Sequence, residues 1–207
     1  DMAATANLIA RDFDVTLSTT CAQGQTELFA EGAFRSIHSF SVEGELASIG
    51  AFRVGQLLDN PELGDADGSI ALTYAADGRN RRGHAELNID RFDFRHIAYR
   101  EILADATLDG DMLTFSAETD GDALSFNLAG AWSLARDFRA VRLDGSVGRF
   151  VPNQLNLTEK YPGVELAADF NMDLEGPQLH NMLGHIDIRN FSIRRSPSEV
   201  FTLDQDR

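Results

Sequence analysis

The sequence predicts an all-β protein whose antiparallel strands form a sheet with one apolar face. Three observations predict it. Large hydrophobic residues recur at every second position in segment after segment of the 207 residues, the period of a strand with one buried side. Asp-Gly pairs punctuate these segments, and Asp-Gly is a strong hairpin signal because both residues tolerate positive φ. Few segments carry the 3.6-residue period of an amphipathic helix.

Taken in order, about ten segments read as strands, most of them about 7 to 11 residues long, a spacing that suits an all-β chain. Phe13, Val15 and Leu17 share one face, as do Leu28, Ala30, Gly32 and Phe34, then Phe40, Val42 and Leu46, then Ile70, Leu72 and Tyr74. Ala85, Leu87 and Ile89 continue at odd positions, but the following apolar residues, Phe92 and Phe94, are even. A regular strand cannot absorb that flip, so a bulge is expected near Asp90 and Arg91. The same flip recurs between Ile188 and Phe191. Further strands follow at Ile102 to Leu108, Leu113 to Ala117 and Leu124 to Leu134, with turns at Asp109-Gly110-Asp111 and Asp120-Gly121-Asp122. Val141 to Val147 and Val164 to Leu174 alternate cleanly; the second sets Leu166, Phe170, Met172 and Leu174 against Glu165, Asp169, Asn171 and Asp173. Gly55 to Leu58 and Val151 to Tyr161 are the candidates for short helical turns, stopped by Pro61 and Pro162, which cannot continue a helix.

Composition narrows the function. With 43% hydrophobic and 25% charged residues the chain is globular, neither disordered nor collagenous. A net charge of −15 argues against nucleic acid, which needs a basic stripe, and against an anionic membrane surface. All basic residues but Lys160 are arginine, which reads as base-composition bias. The single cysteine, Cys21, excludes a disulfide within the chain. No run of eighteen apolar residues occurs, so no membrane-spanning helix is predicted; Ile70 to Leu72 reads like the middle of a repeated pattern and the C-terminus follows another apolar segment, Val200 to Leu203, so an internal piece of a longer protein is expected.

A repeat is visible at an offset near one hundred residues. Gly83-His84 with Leu87, Ile89, Phe92 and Phe94 parallels Gly184-His185 with Ile186, Ile188, Phe191 and Ile193; Val42-x-Gly44 parallels Leu143-x-Gly145; and Leu72, Tyr74, Gly78 parallels Phe170, Met172, Gly176. Period-long similarity of this kind marks an array in which each unit stacks on the next. The expected division is 1–140 as a first segment and 141–207 as a second, truncated repeat.

These residues resemble the TamB proteins, the large subunit of the translocation and assembly module of Gram-negative bacteria, within the AsmA-like superfamily. The resemblance lies in Phe52 to Leu58 followed by Asn60-Pro61-Glu62-Leu63-Gly64. It continues through Phe92-x-Phe94, Tyr99, Ile102, Leu108-x-Gly110, Phe115, Phe126, Gly130 and Leu134, and through Phe170-x-Met172-x-Leu174-x-Gly176 with Gly184, Ile186, Ile188 and Phe191. The resemblance implies an elongated, curved antiparallel β-groove, an open U-shaped sheet, that crosses the periplasm and moves phospholipid between inner and outer membranes. It implies as partners phospholipid acyl chains and an outer-membrane β-barrel of the TamA or BamA type, with no cofactor. The family's membrane anchor and C-terminal region are not matched.

The residues assigned to the lining are Leu72, Tyr74, Leu87, Ile89, Leu108, Leu113, Phe115, Leu124, Phe126, Leu128, Trp132, Leu166, Phe170, Met172, Leu174, Ile186 and Ile188. Acyl chains need a continuous apolar lining and the exterior must stay wet, and a period of two supplies both. Two other readings stay open at this level: a scaffold that receives outer-membrane β-strands on its edges, and a closed β-sandwich burying the same residues. Catalysis finds little support. The histidines, His38, His84, His96, His180 and His185, lack zinc-site spacing; Asp65-x-Asp67-Gly68 has Ala76 where a calcium loop needs Glu; and no nucleophile elbow or phosphate loop occurs.

Overall fold

The computed structural model describes residues 2–9, 11–21, 24–53, 60–78, 80–95, 97–135, 139–177, 181–196 and 199–203. Thirteen strands lie among them: β1 Met2–Ile9, β2 Asp12–Cys21, β3 Gly24–Ser36, β4 Ser39–Arg53, β5 Leu63–Asp77, β6 Asn80–Phe94, β7 Ile97–Asp109, β8 Met112–Asp120, β9 Leu124–Ser133, β10 Arg139–Phe150, β11 Glu165–Gly176, β12 Leu183–Ser196 and β13 Glu199–Leu203. Their order in the sheet is their order in sequence, and the sheet is open, with β1 and β13 at its ends.

The strands number more than the ten expected and reach 15 residues in β4, β5 and β6. The length has a reason: bulges let a strand continue through a change of parity. In β6, Ile89 faces Gly68 and Arg91 faces Asp67, so Asp90 is the extra residue. In β12, Arg189 faces Asp169 while Ser192 faces Ala167, and Asn190 takes a left-handed φ of 50°. Both bulges stand where the apolar parity flips. A third, at Gly148, shifts the register of β10 against β9. β1 escaped the sequence reading because its even positions are Met2, Ala4, Ala6 and Leu8, two of them too small to stand out; in register they face Thr19, Leu17, Val15 and Phe13.

The turns follow the Asp-Gly pairs, Gly110 with φ 61° between β7 and β8 and Gly121 donating its N–H to Leu124 O at 2.9 Å. The helical turn expected at 55–58 lies outside the described residues. Over Val151 to Tyr161 the chain makes one α-type turn, the Leu155 N–H donating to Val151 O at 3.2 Å, and then irregular turns.

Two compact units emerge: Asp1–Ala98 with Ile102–Asp111, and Tyr99–Glu101 with Met112–Arg207. The repeat maps onto them strand for strand. β4, β5 and β6 of the first correspond to β10, β11 and β12 of the second, with the long connections 54–62 and 151–164 in matching places and a bulge in each third strand.

Neither unit has a closed core among the described residues. Val151 and Leu155, at 5% and 4% exposure, are the buried apolar side chains, and no side chain falls below 2%. The closed sandwich is therefore not formed: a second layer would bury Phe126, Trp132 and Phe170 outright, yet all three remain half-buried.

Candidate functional site

Cross-strand registers place residues on faces, because directly opposed residues point to the same side of a sheet. In the second unit they stack the expected lining residues into rows. Leu113, Trp132, Val141 and Leu174 form one row; Phe115, Gly130, Leu143, Met172 and Ile186 the next; then Ala117, Leu128, Gly145, Phe170 and Ile188. Thr119, Phe126, Val147 and Ala168 follow, and Leu124, Phe150, Leu166 and Ile193 complete the face. In the first unit Leu28, Leu46, Ile70 and Leu87 make a row, Ala30, Gly44, Leu72 and Ala85 another, and Phe13, Gly32, Val42, Tyr74 and Gly83 a third. Ile89 faces Gly68 on the same side, and Leu108 reaches it beside Gly83, where an added Cβ would lie 3.8 Å from the Leu108 Cβ. Each of the seventeen residues assigned from sequence thus lies on the apolar face of its unit, five in the first and twelve in the second.

The reverse face is polar. Asn127 Nδ2 donates to Glu118 at 3.2 Å, Asn171 donates to Asp144, and Arg142 pairs with Asp173 at 3.3 Å. In the first unit Arg91 donates twice to Asp93, at 2.9 and 2.7 Å; these hydrogen bonds, with the carboxylate's charge, raise the guanidinium above its ordinary pKa. His84 Nε2 lies 2.6 Å from Asp105 Oδ2 and 4.0 Å from Glu86, and the three donor atoms lie within 4.8 Å of one another. Sequence spacing missed this group because Asp105 comes from the neighbouring strand. His84 is 43% exposed and already hydrogen-bonded, so a wet-face hydrogen bond accounts for the cluster, and His185 with Asp187 at 4.0 Å echoes it in the second unit.

Sequence reading also missed how the aromatic rings lie. Phe13 faces Gly32, Tyr74 faces Gly83, Phe115 faces Gly130 and Phe170 faces Gly145. A Cβ added to Gly32, Gly130 or Gly145 would come within 2.7 to 2.8 Å of the Cζ of the opposed phenylalanine, and one on Gly83 within 3.2 Å of Tyr74 Cδ2. Each ring therefore lies down over the bare backbone of the next strand, and the apolar face stays low where upright rings would fill it.

The first unit is concave here. A cleft of about 830 Å³ is lined by residues of six consecutive strands, β2 to β7, with Phe13, Gly32, Val42, Tyr74, Gly83 and Leu108 among them. Six strands laid flat span roughly 24 Å at ~4.8 Å per step, and one cleft touching all six fits a sheet that curls. Tyr74 packs its ring 5.5 Å from that of Phe40.

The second unit's face is exposed. Ile186 and Ile188 are 59% and 51% accessible, and Phe115, Phe126, Leu128, Phe170 and Met172 are half-buried against their own neighbours. Each 100 Å² of such surface covered by an apolar partner contributes about 2.5 kcal/mol. Among the described residues of β8 to β11, two polar side chains share the face: Thr119, 6% exposed, whose Oγ1 donates to Arg100 O at 2.8 Å, and Arg139, directly opposite Gly176. The Nε of Arg139 and the Nε1 of Trp132 are buried donors without a partner, an arrangement that costs about 1–3 kcal/mol for each group.

No family model, curated protein or solved structure matches the chain.

Proposed function

We propose that this chain is a segment of a lipid-carrying β-groove of the TamB type, working in the periplasm of a Gram-negative envelope and passing phospholipid between inner and outer membranes. An outer-membrane β-barrel of the TamA or BamA type is its partner in that reading. It acts by contact, without catalysis or cofactor: tails slide over Phe, Leu, Ile and Met surfaces whose individual contacts are too weak to trap them. The supporting observation is the exposed apolar face. Rows of bulky side chains run across β8 to β12 with no second layer upon them among the described residues, and an apolar surface of that size calls for an apolar occupant.

The test is native mass spectrometry with organic extraction of the purified chain, beside Phe126→Asp and Phe170→Asp, each checked for folding by circular dichroism. Co-purified phospholipid on the wild type and its loss from folded variants supports the conduit. Wild type free of lipid, with both variants unfolded, makes these residues a structural core and refutes it. A second reading, a scaffold that pairs with outer-membrane strands, draws on the sheet ends β1 and β13; it predicts capture of strand peptides that a proline in either strand abolishes.

A further inference from the structure

We propose that the second unit holds an anionic headgroup at one rim of its apolar face, through the Arg139 guanidinium and the Trp132 indole N–H, while the attached alkyl chain lies across the rows beyond. The inference rests on the lipid-groove reading and gives it a polarity and a headgroup class.

Four observations carry it. Arg139 is the first residue of β10, and the register Arg139 to Gly176, Val141 to Leu174 and Leu143 to Met172 puts it on the apolar face. Trp132 stands opposite Val141 in the adjoining strand, so the two side chains are diagonal neighbours at the same end of the face, ~7–8 Å apart in the backbone. Both carry a buried donor nitrogen with no acceptor, and none of the ion pairs among the described residues engages Arg139. The chain is strongly acidic overall, yet among the described residues no carboxylate pairs with Arg139, which stands on a largely apolar face. Thr119, the other polar side chain there, is satisfied by the Arg100 carbonyl.

The opposite rim differs. There β10 ends at Phe150 beside Leu124 and Leu166, and the following turn buries Val151 and Leu155. From Val141 to Val147 the apolar rows extend roughly 20 Å at ~3.3 Å per residue. An amphiphile with a phosphate or carboxylate head matches that gradient, the guanidinium supplying a planar fork for an oxyanion and the tail covering Leu143, Phe170 and Leu128. Phosphocholine, sugar and alcohol heads offer less, because they bring no net charge to Arg139.

Trp132 is the chain's single tryptophan, so its emission reports the site without a label. The wild-type chain is titrated with dodecyl phosphate, with uncharged dodecyl maltoside, both below their micelle concentrations, and with inorganic phosphate alone. Dodecyl phosphate should bind about tenfold to a hundredfold more tightly than the neutral amphiphile, with that preference shrinking as salt is raised, and inorganic phosphate should leave the emission unchanged. Arg139→Gln should abolish the preference while keeping the binding of dodecyl maltoside. Equal binding of both amphiphiles, insensitive to Arg139→Gln, overturns the headgroup site and leaves the groove standing. Tight binding of inorganic phosphate alone overturns it in favour of a simple anion site, and no binding of either amphiphile defeats the groove as well. If Arg139→Gln does not fold by circular dichroism, Arg139→Lys, which keeps the charge but loses the fork, should retain a weakened preference for dodecyl phosphate; an unweakened or absent preference counts against the site.

Discussion

Replacing Gly145 with alanine tests whether the aromatic rings lie over glycine. The new Cβ would sit 2.8 Å from Phe170 Cζ, 2.9 Å from Asn127 O and 3.2 Å from Leu128 Cβ, against an optimum near 3.5–4.0 Å between carbons. Overpacking of this kind costs about 1–3 kcal/mol, and the smaller conformational freedom of alanine in the unfolded chain returns about 0.4–1 kcal/mol. The expected net loss is about 1–2 kcal/mol, or roughly 2–8 °C in melting temperature for a chain of this size. Gly148 is the control, since its Cβ would meet nothing closer than Ser125 Oγ at 3.4 Å; Gly148→Ala should change stability by no more than about 0.5 kcal/mol. Phe170→Leu removes the ring, so Gly145→Ala should cost measurably less in that background, a coupling of about 0.5–1.5 kcal/mol. Urea unfolding followed by Trp132 emission reads all four corners of the cycle. Additivity within about 0.3 kcal/mol, together with equal effects at Gly145 and Gly148, would refute the ring-over-glycine packing.

Three further outcomes are expected. Asn190→Ala should lower stability by about 1–2 kcal/mol in thermal melts, because alanine resists the left-handed φ of 50° and the 2.5 Å bond from Asn190 Nδ2 to Asp169 is lost, whereas Asn190→Gly should cost less. Leu155→Ala, at a site 4% exposed, should cost about 2–3 kcal/mol by urea titration, more than Ile186→Ala, whose side chain is largely in solvent. Thr119→Val should cost about 1 kcal/mol, since it leaves the Arg100 carbonyl without its 2.8 Å donor.

Much of this architecture was legible from alternation alone, since a period of two fixes which residues share a face once a strand is granted. The parity flips at Ile89 to Phe92 and Ile188 to Phe191 marked the segments in which two bulges stand. The identical flip from Val147 to Phe150 was equally visible and marks the bulge at Gly148. Whether the apolar face is open was not legible, because a sandwich and an open sheet demand the same alternation; only the exposure of residues such as Ile186 and Ile188 separates them. Nor was the pairing of Phe170 with Gly145, which depends on register between segments some 25 residues apart. Arg139 shares the parity of Val141 and Leu143, but a cation at the start of an apolar run reads as the end of the preceding loop.

The sheet order, in which every strand bonds to the strands that precede and follow it along the chain, has a consequence for growth. Adding or deleting one hairpin changes the pairing at that point alone and leaves the other registers intact, because every pairing joins strands adjacent in sequence. A meander of this kind can lengthen by duplication of strand groups without redesign, and the six-strand offset relating β4–β6 to β10–β12 fits such a history. Its strands also pair with their neighbours in sequence, so each ladder closes a local connection, an arrangement of low contact order.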